Sequence, residues 1–255
     1  MDLKNKIRFG RLTFGSWITL REPAIAEILA KAGFDWLVID MEHSSITLDI
    51  AQDLVRVIEL AGVAPLVRVG CNDVVLIKRV MDLGAYGVIV PMVNNRDDAE
   101  KAISAVYYPP KGIRGVGLTR AQGYGLKFEE YRDWISRESP IIIVQVEHIK
   151  AIENLEEILS VKGVDASIIG PYDLSGSLGF PGDFNRREVI EALNRYEKIC
   201  KKLKKPMGLH VVFPDPKKVL YYVNKGYSLI AIGLDTVYLG LKCSEVLSEV
   251  KGWKG

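Results

Sequence analysis

Carboxylates, two imidazoles and a single arginine recur in one kind of place in this sequence, directly after short runs of β-branched and other apolar residues. Asp40-Met41-Glu42-His43, Arg68, Gln145 with Glu147, Gly170-Pro171-Tyr172-Asp173, His210 and Asp235 all end or follow such runs. Glu147 and Asp173 form the best metal pair. Two carboxylates that leave the remaining positions open suit a hard ion such as Mg²⁺ or Mn²⁺, which keeps waters for a substrate to displace. The competing reading makes each carboxylate the cap of the helix that follows. Asp173 before Leu-Ser-Gly-Ser fits that reading, whereas Glu caps poorly and tilts Glu147 toward metal. His148 would point away from its neighbour's ligand side chain and is structural.

His43 follows two carboxylates in a run with no apolar need for an imidazole, so it is the leading general base. Arg68 stands in Ala-Pro-Leu-Val-Arg-Val-Gly, where a buried strand would otherwise carry an aliphatic. A guanidinium there must meet an anion: Asp40 or Glu42 by a salt bridge, a substrate, or both.

The elements that must position these groups alternate. Eight apolar runs (12–18, 36–40, 65–69, 87–91, 141–146, 166–169, 207–211 and 229–232) are separated by helix-period segments (23–32, 48–61, 74–83, 97–106, 151–158, 187–204, 216–224 and 237–250). That rhythm predicts βα units and a parallel sheet, and eight units fit a closed (β/α)₈ barrel better than an open sheet. Gly33, Gly84 and Gly226 stand where left-handed helix caps belong. In such a barrel the site lies at the carboxyl ends of the strands, where the polar residues above gather. Residues 107–140 break the rhythm, and a connection that long is expected to be a lid or binding loop.

The bulk properties agree with one globular domain spanning 1–255. The 255 residues are 48% hydrophobic and 26% charged with a formal net charge of +2, enough apolar material for a large core. The only dense basic run is 201–205, in an amphipathic pattern, so no nucleic-acid footprint is expected. Cys71, Cys200 and Cys243 are scattered and offer neither a disulfide framework nor a CxxC metal knot. The first dozen residues contain no apolar stretch of signal-peptide type, and no segment reaches ~18 unbroken apolar residues. The expectation is a soluble, cytoplasmic protein with no membrane partner.

Read together, GSW (15–17), VIDMEHSSITL (38–48), PLVRV (65–69), GAYGVIVPMVNN (84–95), YPPKGIRGVGLTRAQGYG (108–125), VQVEH (144–148) and GPYDLSGSLGFPGD (170–183) resemble the HpcH/HpaI family of class II pyruvate aldolases. The resemblance covers nearly the whole chain. It implies a divalent-metal-dependent lyase, with Mg²⁺, Mn²⁺ or Co²⁺, that reversibly splits a 4-hydroxy-2-oxo acid into pyruvate and an aldehyde. It also implies Glu147 and Asp173 as metal ligands, Arg68 as stabiliser of the enolate charge, and Gln145 as holder of water or substrate. His43 would be the acid/base residue, tuned by Asp40 or Asp82, and Trp17 and the Gly170–Tyr172 backbone would line the pyruvate pocket. Relatives form hexamers, so a homo-oligomer is expected, with the last helix packed on a neighbour or on its own barrel.

An enolate beside a cation and an arginine is chemically coherent, because fixed positive charge where negative charge develops is usually the largest catalytic term. No lysine ends a strand, as a Schiff-base aldolase would need. Two positions depart from the family: Tyr172 where alanine is usual, and His210 where an aliphatic is usual. His210 is expected to reach the aldehyde side and favour a polar or anionic acceptor, or else to bond Asp235. The same chemistry could serve a citrate-type condensation or a decarboxylating bond formation on oxaloacetate. A catalytically idle barrel used for binding would instead lack a ligand.

Overall fold

Every apolar run that the sequence marks as a strand is one, and each pairs with the next. The computed structural model describes residues 3–252. It opens with α1 (Leu3–Arg8), followed by β1 (Thr13–Ile18), α2 (Pro23–Lys31), β2 (Trp36–Asp40), α3 (Leu48–Leu60), β3 (Ala64–Arg68), α4 (Val74–Asp82), β4 (Gly87–Val90) and α5 (Arg96–Val106). A 3-10 turn (Arg120–Gln122) leads to α6 (Phe128–Ser136), β5 (Ile141–Val146), α7 (Ile149–Glu153), α8 (Leu155–Ser160), β6 (Ala166–Ile169) and α9 (Pro171–Ser177). The chain ends in α10 (Arg187–Leu203), β7 (Met207–Val211), α11 (Pro216–Lys225), β8 (Leu229–Leu234) and α12 (Asp235–Gly252). All neighbouring strands are parallel, and β8 closes on β1 with Thr13 opposite Leu229, so the sheet is the expected (β/α)₈ barrel.

Strand alternation sorts the apolar side chains into two shells. Trp36, Val38, Leu66, Ile89, Ile143, Ile168 and Ala231 fill the barrel interior, while Leu37, Ile39, Val67, Val88, Ile142 and Val144 face the surrounding helices. Gly15 makes room for this filling, since a Cβ there would lie 2.2 Å from the Trp36 ring. The three cap glycines adopt positive φ as expected, at +97°, +100° and +95° for Gly33, Gly84 and Gly226.

Four local features differ from the sequence reading. First, α1 was not anticipated: it is too short for a helical period to show, and it is held from outside. Its Leu3 and Ile7 plug the barrel floor, each burial worth roughly 2 kcal/mol. Its Lys4 and Arg8 each reach Asp165 at 2.9 Å. Second, the segment 151–158 is not one helix but α7 and α8, broken at Asn154, whose side-chain amide donates to the Asn94 carbonyl at 2.9 Å. Third, α9 begins where a loop with a capping Asp was conceivable. Fourth, residues 107–140 are neither lid nor mouth loop. The segment leaves the C-terminal end of α5 and is tied beneath the barrel, where Arg120 donates to the Leu83 carbonyl at 3.0 Å and Thr119 to the Asp82 carbonyl at 2.8 Å. Fully buried Arg114, bonded to Asp82 and the Tyr131 hydroxyl and facing the Tyr108 ring, organises it.

Candidate active site

The register of β2 and β3 sets Asp40 opposite Arg68 at the barrel mouth, and the two form a two-pronged ion pair. Arg68 Nε and Nη2 donate to Asp40 Oδ1 and Oδ2 at 2.9 and 2.7 Å, while Nη1 lies 3.0 Å from Glu42 Oε2. Asp40 Oδ1 also accepts from the backbone N–H groups of Glu42 and His43, at 3.0 and 3.2 Å, and so shapes the turn that carries them. Arg68 is 8% exposed and its guanidinium carbon stands 4.4 Å from the centre of the Trp17 ring. The open question between substrate and salt bridge thus has a definite answer at rest: both carboxylates hold Arg68.

Neither residue expected to tune His43 touches its ring. Asp40 meets His43 only through the backbone and is committed to Arg68. Asp82 is the last residue of α4, at the opposite end of its own barrel, paired with Arg114 at 2.6 Å. A helix that returns from the mouth must end at the floor, which is why Asp82 does not reach the His43 of its own chain. The carboxylate nearest the ring is Glu42, with Oε2 at 3.8 Å from His43 Nε2, and the ring itself is well exposed. Sequence reasoning gave Glu42 only the role of a partner for Arg68.

Glu147 follows β5 and, two residues past Gln145, shares its inward direction. Its Oε1 accepts from the Met92 backbone N–H at 2.6 Å, and its Oε2 from the Gln145 side-chain amide. Met92 holds a left-handed backbone (φ +53°) that a non-glycine residue adopts at a cost of about 1–2 kcal/mol, and that turn aims its N–H at Glu147. No side-chain signal in the sequence could have revealed this contribution, which is entirely main-chain. Asp173 stands in the first turn of α9, whose preceding residue Gly170 supplies no side-chain cap, and makes no capping bond itself. A Cβ at Gly170 would sit 3.1 Å from Glu147 Cβ, 3.6 Å from Glu147 Oε2 and 3.8 Å from Asp173 Oδ2. The glycine therefore preserves the space that both carboxylates border.

Electrostatics point the same way. Burial raises the Glu147 carboxyl above its ordinary value, with the neighbouring Glu42 and Asp173 charges adding to the rise. Glu42 is raised too, first by burial and then by Asp40 and Asp173, against the lowering pull of Arg68. Four carboxylates thus gather at a mouth that holds one buried guanidinium, and a divalent cation would offset most of that surplus of negative charge. Among the described residues no group of three His, Cys, Asp or Glu could hold an ion, so any cation between Glu147 and Asp173 would keep open positions. Gln145 Oε1 and Trp17 Nε1 are buried without hydrogen-bond partners, an acceptor and a donor beside that space. The residues present therefore fit a hard divalent ion and an oxygen-rich ligand.

His210 is half-buried and stacked on Trp17, with ring centres 5.1 Å apart and planes 13° from parallel. Its Nε2 bonds the Gly233 carbonyl at 2.9 Å, which requires the proton on Nε2. Burial pushes its pKa down to about 4, with Arg68 adding to the fall and the Gly233 bond opposing it. The ring is therefore neutral near pH 7, and an expected preference for anionic acceptors gains no positive charge from it. The alternative bond to Asp235 does not form either, because Asp235 is saturated by the N–H groups of Thr19 and Leu20 and the Thr19 hydroxyl at 2.7–2.8 Å. His148 behaves as expected, capping α7 by accepting from Lys150 N at 3.1 Å. Tyr172 lies at the rim, 55% exposed, its ring edge-on to Phe184. A cavity of about 630 Å³ joins Trp17, Arg68, Gln145, Gly170, Tyr172, Asp173 and His210.

Known proteins share this arrangement of chain and fold. The family described as HpcH/HpaI aldolase/citrate lyase matches residues 13–239. A 2-dehydro-3,6-dideoxy-6-sulfogluconate aldolase of Pseudomonas putida is 38% identical over 239 residues, 93% of this chain and 92% of that protein. A 4-hydroxy-2-oxo-heptane-1,7-dioate aldolase of Salmonella typhimurium is 36% identical over 92% of this chain and 89% of its own. The crystal structure of an HpcH/HpaI aldolase/citrate lyase family protein from Burkholderia cenocepacia superposes with a TM-score of 0.93 at 32% identity, covering 98% of this chain and 99% of that one.

Proposed function

We propose, starting from the fact that this chain belongs to the HpcH/HpaI aldolase/citrate lyase family, that Glu147 and Asp173 hold the divalent cation of a pyruvate-type aldolase. A lyase that makes and breaks carbon–carbon bonds comes with that family, and aldolases at 36–38% identity over almost the full chain favour aldol cleavage over citrate chemistry. The substrate is a 4-hydroxy-2-oxo acid, cleaved reversibly to pyruvate and an aldehyde. The observation that carries the residue assignment is the space over Gly170, where one oxygen of each carboxylate lies 3.6 and 3.8 Å from the point a Cβ would occupy.

A divalent cation there, Mg²⁺, Mn²⁺ or Co²⁺, supplies positive charge where a 2-oxo acid becomes an enolate. The protein does the rest. Arg68, locked by Asp40 and Glu42, presents a fixed guanidinium to the same developing charge and needs no reorganisation during the reaction. Gln145 Oε1 and Trp17 Nε1, lacking internal partners, orient the ligand's hydroxyl and carboxylate oxygens. His43 Nε2 moves the proton between the aldehyde oxygen and solvent, with Glu42 rather than Asp40 or Asp82 steadying its charged form. Asp40 is a positioning residue for Arg68.

The chain also works as a homo-oligomer, a hexamer or trimer of dimers. Among the residues of α12 only Asp235 is buried, and after the first turn, where Tyr238 packs on the core and donates to the Ile232 carbonyl, Leu239, Leu241, Leu247 and Val250 are left 45–66% exposed. A second copy is the simplest cover for such a stripe. No helix among the described residues is long and apolar enough to cross a membrane. The test of the activity is retro-aldol release of pyruvate from several 4-hydroxy-2-oxo acids. Turnover that disappears with chelator and returns with Mg²⁺ or Mn²⁺ supports the reading, and turnover indifferent to chelator contradicts it. Light scattering in solution reads the assembly: six copies are expected, a monomer contradicts it.

A further inference from the structure

We infer that the acceptor side of this site is an aromatic slot, built by Tyr172 and Phe184 with Phe213 on the same cavity lining, that selects an aldehyde bearing an aromatic ring. The inference deepens the aldolase reading and rests on it.

Large aromatic side chains are normally buried, yet besides Tyr221, whose ring packs edge-on against Tyr222, three stand exposed along one cavity: Tyr172 at 55%, Phe184 at 36% and Phe213 at 57%. All three line the cavity that also contains Arg68 and Asp173. Tyr172 and Phe184 meet edge-to-face, their centres 4.9 Å apart and their planes at 84°. That arrangement leaves ring surface open to a third aromatic group. Tyr172 directly precedes Asp173, so the slot begins one residue from the proposed cation.

The charges on the cavity wall argue against an anionic acceptor. Arg68 is held by Asp40 and Glu42, and Lys225 is paired with Glu197 at 3.0 Å. His210 sits on the Trp17 ring and keeps its proton on the Gly233 carbonyl. Lys218 is the remaining cation of the wall, exposed on the first turn of α11 at the outer edge.

In the synthetic direction pyruvate C3 loses a proton and its carbon bonds to the aldehyde carbon. The carbonyl electron pair moves to oxygen, which takes up a proton, and nothing is oxidised or reduced. The aldehyde carbonyl must point at the enolate, so its substituent projects outward over Tyr172 and Phe184.

The test measures KM for benzaldehyde, glycolaldehyde and succinate semialdehyde with pyruvate and Mg²⁺, in the wild type and in Phe184→Ala, Phe184→Leu and Tyr172→Ala. We expect the benzaldehyde KM to be at least tenfold below that of either other aldehyde. Phe184→Ala and Tyr172→Ala should each erode that ratio about fivefold or more, and Phe184→Leu, which keeps the bulk, should erode it too. A wild-type ratio near one, a preference for succinate semialdehyde read through Lys218, or variants that shift all three aldehydes equally would overturn the inference. Deuterium exchange into the pyruvate methyl group, measured on the wild type without aldehyde, separates the two levels. Exchange with a flat aldehyde ratio sinks the aromatic slot alone, whereas no exchange sinks the enolate reading and the slot together.

Discussion

The barrel carries two buried Arg–Asp pairs, one at each end, and they are built to different ends. On the floor, Arg114 is wholly buried and answered: Asp82 Oδ1 at 2.6 Å, the Tyr131 hydroxyl at 3.0 Å and the Tyr108 ring at 4.9 Å. At the mouth, Arg68 is also paired, but its surroundings are left unbalanced. Glu42 and Glu147 are pushed toward protonation by burial, Asp173 makes no capping bond, and Gln145 Oε1 and Trp17 Nε1 have no partners. A buried pair that satisfies its neighbours is a device for holding structure, and one that leaves atoms and charge over is a device for receiving something.

The contrast can be broken by substitution. The largest effect is expected from Glu147→Ala or Asp173→Ala, each lowering kcat/KM by about 10³-fold or more while the folded barrel persists in circular dichroism. Stability that falls together with activity would place these carboxylates with the floor pair. Arg114→Met should do the reverse. Leaving Asp82 half-buried and unpaired costs about 3–5 kcal/mol in urea unfolding, with kcat/KM of the folded fraction changed less than about threefold. Arg68→Lys keeps the charge but loses the fork to Asp40, so kcat should fall about 10²-fold, and activity near wild type would show that fixed geometry is unimportant there.

A smaller effect sharpens the comparison through pH. His210, with a folded-state pKa of about 4 against 6.5 for the free side chain, binds fewer protons folded than unfolded between those values. Its contribution is therefore fully present above pH 6.5 and is lost as pH falls toward 4. Wild type minus His210→Leu should differ by about 2 kcal/mol more at pH 7 than at pH 5 in unfolding free energy. The difference cancels the carboxylates common to both proteins, and a flat difference would mean the imidazole is not desolvated.

Much of the mouth was legible because barrel topology turns strand ends into a place. Asp40, Arg68, Gln145, Glu147 and His210 each end or follow an apolar run, and the closed sheet brings them together as a parallel barrel must. What escaped was whatever depends on turns and main chain. Asp82 looked available to His43 because linear distance does not reveal that α4 carries it to the floor. The segment 107–140 looked like a lid because its length was readable, but the burial of Arg114 that anchors it was not. The Met92 N–H that holds Glu147 has no side-chain signature at all. Helix α1 is too short for periodicity, and its docking through Asp165 is a long-range event.

The account stands or falls on Glu147 and Asp173 sharing one cation. Calorimetric titration of metal-free protein with Mn²⁺ tests this without reference to turnover. We predict one site per chain in the wild type, weakened at least about a hundredfold in Glu147→Gln and in Asp173→Asn and retained in Arg114→Met. Undiminished Mn²⁺ binding in the double variant Glu147→Gln/Asp173→Asn would contradict it.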